Sequence, residues 1–313
     1  MRELDGVDVF DCFAGLGEAV AHCRSGKGPA LVHAHVVRLK PHSDSDDDAS
    51  YRCDAEKEAD LERDPLPIFE KILIDEGIID SSDGDRIRQD AHDEFQDIYD
   101  AIKEEEMPDG STVSRFIYNP ATVIDKENDP VVGGEKITMV AGINKALATE
   151  MQRDPRVVVF GEDVADCSRE ENLAELKGKG GVFKVTQGLQ RNFGSSRVYN
   201  VPIAEAGIVG RAIGMAVRGM RPVVEIQFFD YIWPAMNQIR SELALMRWRS
   251  NNAYSCPVVI RCPTGGYVRG GAIYHSQSAE SMFCQCPGLR VVMPSNARDA
   301  IGLLHTAMRC GDP

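Results

Sequence analysis

The chain has 313 residues, a formal net charge of −14 and a hydrophobic content of 43%. An acidic balance of this size argues against nucleic-acid binding, because contacts to phosphate need a basic face. No apolar run reaches the roughly 20 residues that a membrane-spanning helix needs, and the first residues lack the layout of a secretion signal. The sequence therefore predicts neither a nucleic-acid partner nor a membrane segment.

The nine cysteines are spread along the chain, and the closest pair is Cys284-x-Cys286. No C-x-x-C pair is present. Dispersed cysteines in a chain of this size are typical of reduced thiols in a cytoplasmic protein rather than of a disulfide framework or a zinc site. We therefore predict a cytoplasmic location and assign no metal ligands.

The first 40 residues have the pattern of one helix followed by one strand. Residues 7–25 carry helix-spaced apolar side chains, and a Gly-Lys-Gly-Pro turn follows them. The apolar run 30–37 then predicts a strand. Together these elements predict one strand–helix unit of an α/β domain.

An acidic stretch follows, and it predicts helices rather than disorder. Between Asp44 and Asp109 there are 25 acidic and 7 basic residues, which indicates a solvated surface. Two amphipathic helices are predicted there, at 67–74 and 87–102, joined at 77–84. A Met-Pro-Asp-Gly-Ser segment then ends the helical pattern, so we predict a first domain at 1–107 and a linker at 108–135.

From residue 136 to the end, helices and strands alternate, which predicts a second domain at 136–313. Thr138 is placed to cap a helix that runs to Gln152. The further predicted helices are 205–218, 230–246 and 296–309. The predicted strands, each rich in apolar residues, are 157–160, 223–226, 257–261 and 289–293. This alternation predicts an α/β fold with a parallel sheet covered by helices on both faces.

Two polar residues follow predicted strands, where α/β proteins place their ligands. His42 lies in a Pro-His-Ser-Asp-Ser-Asp-Asp loop, which is either a solvated turn or a ligand-binding loop. Glu205 opens a predicted helix, and glycines at 207, 210 and 214 indicate that this helix packs closely. A glutamate in a first helical turn favours the helix dipole, so its role is either capping or contact with a ligand through a desolvated carboxylate.

Three further features carry a functional and a structural interpretation. His275 follows two glycine pairs and is a candidate acid–base residue. The aromatic cluster consists of Phe228, Phe229, Tyr231 and Trp233, and it either fills the core or offers faces for a flat cofactor ring. The glycine-rich segment 178–181 is either a flexible loop or a phosphate cradle.

Several segments, in the same order along the chain, resemble a known family. The family is the thiamine-diphosphate-dependent, decarboxylating first component of 2-oxo acid dehydrogenase complexes. Four segments are similar to its beta subunit, namely Asn200–Gly210, Glu225–Ala235, Tyr274–Glu280 and Cys286–Ser295. Residues 1–60 resemble the end of the alpha subunit's cofactor domain. The resemblance covers nearly all of 1–60 and 136–313, and it implies a thiamine-diphosphate-binding, transketolase-like fold with parts of two subunits fused.

The resemblance implies roles for individual residues. Glu205 matches the family glutamate that hydrogen-bonds the cofactor's aminopyrimidine ring, and His275 matches a histidine near the substrate that takes part in acyl transfer. His42 matches a loop histidine near the cofactor's diphosphate, and Arg38 lies in the segment that leads to that loop. Phe228 and Tyr231 fall in the segment that packs around the pyrimidine ring.

The resemblance also implies cofactors and partners. It implies thiamine diphosphate, Mg²⁺ and a structural K⁺, a lipoylated acyltransferase partner, and a two-fold, α2β2-like homo-oligomer. The family's magnesium motif is expected before residue 1 and the beta subunit's C-terminal domain after residue 313, so the sequence is expected to be an internal part of a fused protein.

The substrate implied is a 2-oxo acid, and the loop around His42 favours a branched-chain acid over pyruvate. Pyruvate and acetoin enzymes remain alternatives, as does a catalytically incomplete fragment that acts only as an interaction subunit. Ser43 matches a serine that is phosphorylated in some relatives. Its acidic neighbours would repel phosphate, so the sequence does not support that regulation.

Overall fold

A computed structural model describes residues 1–121 and 136–313. The chain divides into two compact units, Met1–Met107 and Pro108–Pro313. The last residues of the predicted linker, 122–135, lie outside the described residues. Within the described parts of the chain, no helix combines the length and the apolar character that crossing a bilayer requires.

The first unit holds a small parallel sheet and four helices. Its elements are β1 (Arg2–Asp5), α1 (Val9–Arg24), β2 (Val32–His35), α2 (Asp54–Leu61), α3 (Pro65–Asp75) and α4 (Ser81–Glu104). The predicted helices and the predicted strand are confirmed, although α4 begins six residues earlier than predicted. The sequence did not predict β1 and α2, because β1 has a single apolar residue, Leu4, and α2 is mostly charged.

Side-chain caps and one close contact fix the first unit. The Asp8 carboxylate accepts hydrogen bonds from the N–H groups of Phe10 and Asp11, and it begins α1. A methyl group added to Gly15 of α1 would lie 2.3 Å from the Leu4 side chain. Glycine at this position therefore lets α1 lie directly on β1, where Leu4 is buried.

The second unit is built on a four-stranded sheet in the order β4-β3-β5-β6, in which every pair of neighbours is parallel. The strands are β3 (Val157–Gly161), β4 (Val198–Asn200), β5 (Arg221–Glu225) and β6 (Val259–Arg261). The helices are α5 (Met139–Arg153), α6 (Leu189–Phe193), α7 (Glu205–Val217), α8 (Met246–Arg249) and α9 (Ala297–Arg309). The Thr138 hydroxyl caps α5, as predicted.

Both faces of this sheet are buried, because successive side chains of a strand point to opposite sides. Val157 and Val159 of β3 pack with α5 and α9 on one face. Val158 and Phe160 pack with α7 and the segment 229–243 on the other. The predicted α/β architecture, a parallel sheet covered by helices on both faces, is confirmed.

Two predicted elements are wrong. Residues 289–293 have no strand pairing, and Val292 and Met293 are more than half exposed, so this apolar run does not continue the sheet. The predicted helix 230–246 is broken into short 3₁₀ turns, a π-helical turn at Gln238–Leu243 and the short α8. Pro234 lacks an N–H and cannot continue an α-helical hydrogen-bond ladder, which explains the interruption.

A buried carboxylate joins α5 to α9. Glu150 is fully buried and accepts hydrogen bonds from Arg309 Nε at 3.0 Å, Arg153 Nε at 2.7 Å and His305 Nδ1 at 2.7 Å. Burial by itself would raise the pKa of Glu150, but the hydrogen bonds from Arg309, Arg153 and His305 outweigh it and lower the pKa from 4.5 to about 2.

We predict that Glu150→Gln destabilises the second unit by about 3 kcal/mol at pH 7, because it removes the charge that these donors surround. The folded-state pKa is depressed, so the stabilising contribution is present above pH 4.5 and is lost as the pH falls towards about 2. Urea unfolding at pH 7 and at stepwise lower pH measures this. The stability difference between wild type and variant should shrink over that range.

The matched control is Glu171→Gln, which changes an exposed glutamate of the same unit. Its urea midpoint should equal that of the wild type at every pH. A difference between Glu150→Gln and wild type that stays constant from pH 7 to pH 2 would contradict the assigned ion-pair network.

Candidate functional site

The carboxyl ends of the parallel strands meet at one edge of the sheet, and polar residues collect there. Glu162 follows β3 directly, and Glu205 follows β4 after a short turn. Glu225 and Arg261 are the last residues of β5 and β6. Because α/β proteins bind ligands at this edge of a parallel sheet, these residues define the candidate site.

Glu205 is the first residue of α7, and its side chain is half-buried. The cap position belongs to Ala204, and no side chain caps the helix. Among residues 1–121 and 136–313, we find no hydrogen bond or ion pair for the Glu205 carboxylate. Its position at the helix N-terminus favours negative charge, but it does not act as a hydrogen-bonding cap, so it is free to accept a bond from a ligand.

A second carboxylate lies near Glu205. Burial raises the pKa of Glu162, and the negative charge of Glu205 raises it further, while Lys179 acts in the opposite direction. The two carboxylates therefore interact, and Glu162 retains a proton more readily than an ordinary glutamate does. Sequence reasoning missed Glu162, although a carboxylate directly after a buried strand is a signal that could have found it.

A buried ion pair lies between the ends of β5 and β6. Glu225 is almost fully buried and pairs with Arg261. The Arg261 charge neutralises Glu225, so the negative charge at this edge that is open to a ligand comes from Glu162 and Glu205. Cys262 follows Arg261, and burial raises the pKa of its thiol to about 12, which keeps it unreactive.

The predicted aromatic cluster divides into two parts. Phe229 is buried in the core, where it contacts Trp233 and Phe283. Phe228 and Tyr231 are half-buried at the candidate site and contact His275, with ring centroids 4.4 Å and 5.7 Å from its imidazole. Core packing is therefore the role of Phe229, whereas Phe228 and Tyr231 present aromatic edges and faces around His275.

His275 is held on both ring nitrogens. The Tyr231 hydroxyl lies 3.2 Å from Nε2, and the Gly271 carbonyl oxygen lies 3.3 Å from Nδ1. These partners favour the tautomer in which Nδ1–H donates to Gly271 and Nε2 accepts from Tyr231. Contacts on both nitrogens therefore orient the ring, with Nε2 as its acceptor atom.

Asp230, in the turn that follows β5, holds the backbone next to His275. The Asp230 carboxylate accepts hydrogen bonds from the N–H groups of Ser276 at 3.3 Å and Gln277 at 3.4 Å. Asp230 therefore positions the histidine without touching its ring. Sequence reasoning missed this role, because the two segments are more than 40 residues apart and only the tertiary fold joins them.

The glycine-rich segment 178–181 is a loop in which two backbone N–H groups are already engaged. The N–H groups of Lys179 and Gly180 donate to the carbonyl oxygens of Asp166 and Ala165, at 2.8 Å and 3.2 Å, so they are not available to a phosphate. A methyl group on Gly180 would lie 2.0 Å from the backbone of residue 187, which explains the glycine. The segment leads to Phe183, whose ring contacts Phe228 at 5.5 Å.

The glycines of α7 do not have the predicted role. A methyl group on Gly210 would make an ordinary contact at 3.8 Å, and one on Gly214 would meet no atom within 4 Å. Close helix packing therefore does not require glycine at these two positions.

In the first unit, Arg38 and the His42 loop are linked through Tyr51. Arg38 Nη2 donates to the Tyr51 hydroxyl at 3.1 Å, and that hydroxyl donates to Asp46 at 2.6 Å. The backbone N–H of His42 donates to the same carboxylate at 2.9 Å. The hydrogen bonds from Tyr51 and from the His42 N–H lower the pKa of Asp46. The loop is thus an ordered turn with the His42 side chain exposed.

The structure therefore brings three predicted residues into contact, namely Phe228, Tyr231 and His275. Glu205 lies at the same edge of the sheet beside Glu162, and Arg38 and His42 belong to the first unit.

Two protein families match this chain. The family described as "Transketolase, pyrimidine binding domain" matches residues 135–313, which is more than half of the chain. The family described as "Dehydrogenase E1 component" matches residues 3–111. The resemblance that the sequence motifs predicted, an E1-type segment followed by a pyrimidine-binding domain, is confirmed.

Curated relatives align with slightly more than half of the chain. The 2-oxoisovalerate dehydrogenase subunit beta of Bacillus subtilis is 51% identical over 56% of this chain and 50% of its own. The protein of the same name from Pseudomonas aeruginosa is 47% identical over 56% of this chain and 47% of its own. The pyruvate dehydrogenase E1 component subunit beta of Leifsonia xyli is 44% identical over 57% of this chain and 49% of its own.

The chain spans about half the length of the curated relatives it matches. Among solved structures, a split-gene transketolase described as an inactive beta4 tetramer is 21% identical over 58% of this chain and 50% of its own, with a TM-score of 0.42. That similarity is too low to carry an argument.

We predict that Asp230→Ala loosens the segment 271–278 without unfolding the second unit. Losing the two hydrogen bonds to Ser276 and Gln277 costs about 1 kcal/mol of local stability, which corresponds to about fivefold faster amide exchange. Hydrogen–deuterium exchange of peptides from this segment measures the change. Peptides from α5 are the internal control and should exchange at wild-type rates; equal acceleration in both regions would contradict a local positioning role.

Proposed function

The chain belongs to the transketolase pyrimidine-binding domain family, with a dehydrogenase E1 segment ahead of that domain, and we propose on this premise that it takes part in the oxidative decarboxylation of a 2-oxo acid with thiamine diphosphate. The observation that carries the proposal is Glu205, a half-buried carboxylate without a hydrogen-bond partner among the described residues. It lies at the ligand-binding edge of the sheet, close enough to Glu162 to raise the pKa of that residue.

The residues present fit the aminopyrimidine ring of this cofactor. Glu205 offers an acceptor for a ring N–H, and Phe228 and Tyr231 offer aromatic surface at the same edge. When bound, the cofactor supplies the electron sink for decarboxylation. We assign none of the described residues to the Mg²⁺ or the K⁺ that the family resemblance implies.

We propose that Glu205 takes part in proton transfer with the aminopyrimidine ring. Its carboxylate accepts a hydrogen bond from the ring and shares a proton with it, which requires a group that is only partly solvated. Glu162 supports that function, because burial and the negative charge of Glu205 raise the pKa of Glu162, so the two carboxylates interact at this edge of the sheet.

His275 acts near the substrate, and Tyr231 and the Gly271 carbonyl hold it in one tautomer. The incoming lipoyl group is a disulfide, and the sulfur released when that bond opens needs a proton. The imidazole, once protonated at Nε2, can donate that proton during acyl transfer. For Arg38 and His42 of the first unit we propose the diphosphate-binding role that the family resemblance implies, which suits a cationic guanidinium and an exposed imidazole.

A branched-chain 2-oxo acid is the preferred substrate of this proposal, with pyruvate as the alternative. The two relatives described above with the higher identity, 51% and 47%, are named for 2-oxoisovalerate, and the pyruvate-named relative has 44%. We further propose a lipoylated acyltransferase as the partner and a two-fold homo-oligomer as the assembly. A cytoplasmic location is part of the proposal, because all nine cysteines are free.

We predict that Glu205→Gln lowers turnover at least about 100-fold, because an amide cannot share a proton as a carboxylate does. The assay follows decarboxylation of a panel of 2-oxo acids with thiamine diphosphate, Mg²⁺ and an artificial electron acceptor. It uses the 313-residue chain.

Glu171→Gln serves as the control and should keep wild-type turnover. Undiminished turnover in Glu205→Gln would show that the Glu205 carboxylate takes no part in the mechanism. If the wild-type chain binds the cofactor but does not decarboxylate any acid, the chain is an interaction subunit instead.

We predict that His275→Asn separates the two half-reactions. Acylation of an isolated lipoyl domain should fall more than about tenfold, whereas decarboxylation with the artificial acceptor should fall less, because the imidazole acts on the sulfur that the lipoyl disulfide releases. Tyr231→Phe should lower acylation in the same direction by a smaller factor. An equal loss in both assays would show that His275 acts before the two half-reactions diverge.

A further inference from the structure

A cluster of three metal-ligating side chains, none of which has a role in the proposed mechanism, lies on the small sheet of the first unit. Parallel pairing of β1 with β2 sets Glu3 directly opposite His33. His35 is two residues further along β2, so its side chain is on the same face as that of His33. The ligand atoms of Glu3, His33 and His35 all lie within 4.8 Å of one another.

The Glu3 carboxylate lies between the two imidazoles. Its Oε1 is 3.7 Å from His33 Nδ1, and its Oε2 is 3.9 Å from His35 Nε2. The two imidazole centroids are 4.4 Å apart. Ligand atoms at about 2.1 Å from a tetrahedral metal ion are separated by roughly 3.4 Å. A small inward rotation of these exposed side chains would therefore give metal-ligand spacing.

The neighbouring charged groups do not complete or occupy this cluster. Leu4 and Arg2 point to the other face of β1, where Leu4 is buried and Arg2 pairs with Asp11 and Glu18 of α1. Asp5, which lies opposite His35, accepts a hydrogen bond from Arg63 at 2.8 Å. Glu3 is thus the carboxylate of these strands that remains for the two histidines.

We infer that Glu3, His33 and His35 form a binding site for a late first-row divalent metal ion of the Zn²⁺ class. Two imidazole nitrogens and one carboxylate oxygen are a ligand set that such ions prefer, whereas Mg²⁺ and Ca²⁺ prefer oxygen ligands alone. The site is therefore distinct from any Mg²⁺ that serves thiamine diphosphate. Three protein ligands at an exposed position leave at least one coordination position to water or to an external ligand.

The test is Zn²⁺ binding to the full chain, measured by isothermal titration calorimetry and by metal content after dialysis. Wild type is compared with His33→Ala, the double variant His33→Ala/His35→Ala, and Glu3→Gln. His92→Ala is the matched control, because it removes an exposed histidine of α4 that is not part of the cluster. Far-UV circular dichroism verifies that each variant is folded.

The expected result is one Zn²⁺ per chain that is lost in the double variant and retained in His92→Ala. Loss of a single ligand should weaken binding by at least about 100-fold, since even outer-sphere changes cost 10- to 100-fold. Glu3→Gln should weaken binding without changing the fold.

Two results would overturn the inference. One is an unchanged stoichiometry and affinity in the double variant. The other is a thiolate-to-metal charge-transfer band when Co²⁺ replaces Zn²⁺, because that band would show that cysteines hold the ion. The decarboxylation assay does not enter this test, so the metal site and the proposed function can fail independently.

Discussion

The parallel pairing of β3 with both β4 and β5 determines where the chemistry of the second unit can take place. Because β3 is central, its alternating valines and phenylalanine must be covered on both faces, and α5, α9 and α7 supply that cover. Parallel pairing also aligns the carboxyl ends of the strands. Residues that are far apart in sequence, such as Glu162 and Glu205, consequently meet at one edge, and their charges interact there.

The buried carboxylates of the second unit are neutralised by cationic partners on neighbouring elements. Glu225 is paired with Arg261 across β5 and β6, and Glu150 is surrounded by donors from α5 and α9. These carboxylates are nearly or fully buried, and cationic partners offset the cost of burying them. Glu205 differs from both, because it is half-buried and has no such partner among the described residues. An unpartnered, partly desolvated carboxylate is suited to a ligand rather than to structure.

Local patterns predicted most of the regular structure, since continuous apolar strands and capped helices depend on neighbouring residues. These patterns failed where tertiary contacts or the chemistry of the backbone determine the secondary structure. The apolar run 289–293 has strand composition but no partner strand, and Pro234 interrupts the predicted helix 230–246. For the candidate site, the sequence named Glu205, His275, Phe228 and Tyr231 as candidates from local patterns, and the family resemblance implied their roles. It did not find Asp230 or Glu162, whose roles depend on contacts across the fold.

In the first unit, too, strand pairing brings together residues that the local sequence pattern does not connect. His33 and His35 carry a strand periodicity that places both imidazoles on one face, but that pattern by itself does not indicate a metal site, because the carboxylate is supplied from 30 residues upstream. The pairing of β1 with β2 is what adds Glu3. Both candidate sites therefore arise from parallel strand pairing, and they differ in ligand chemistry. The carboxylates of the second unit suit protons and an amine-bearing ring, whereas the nitrogen-rich cluster of the first suits a softer cation.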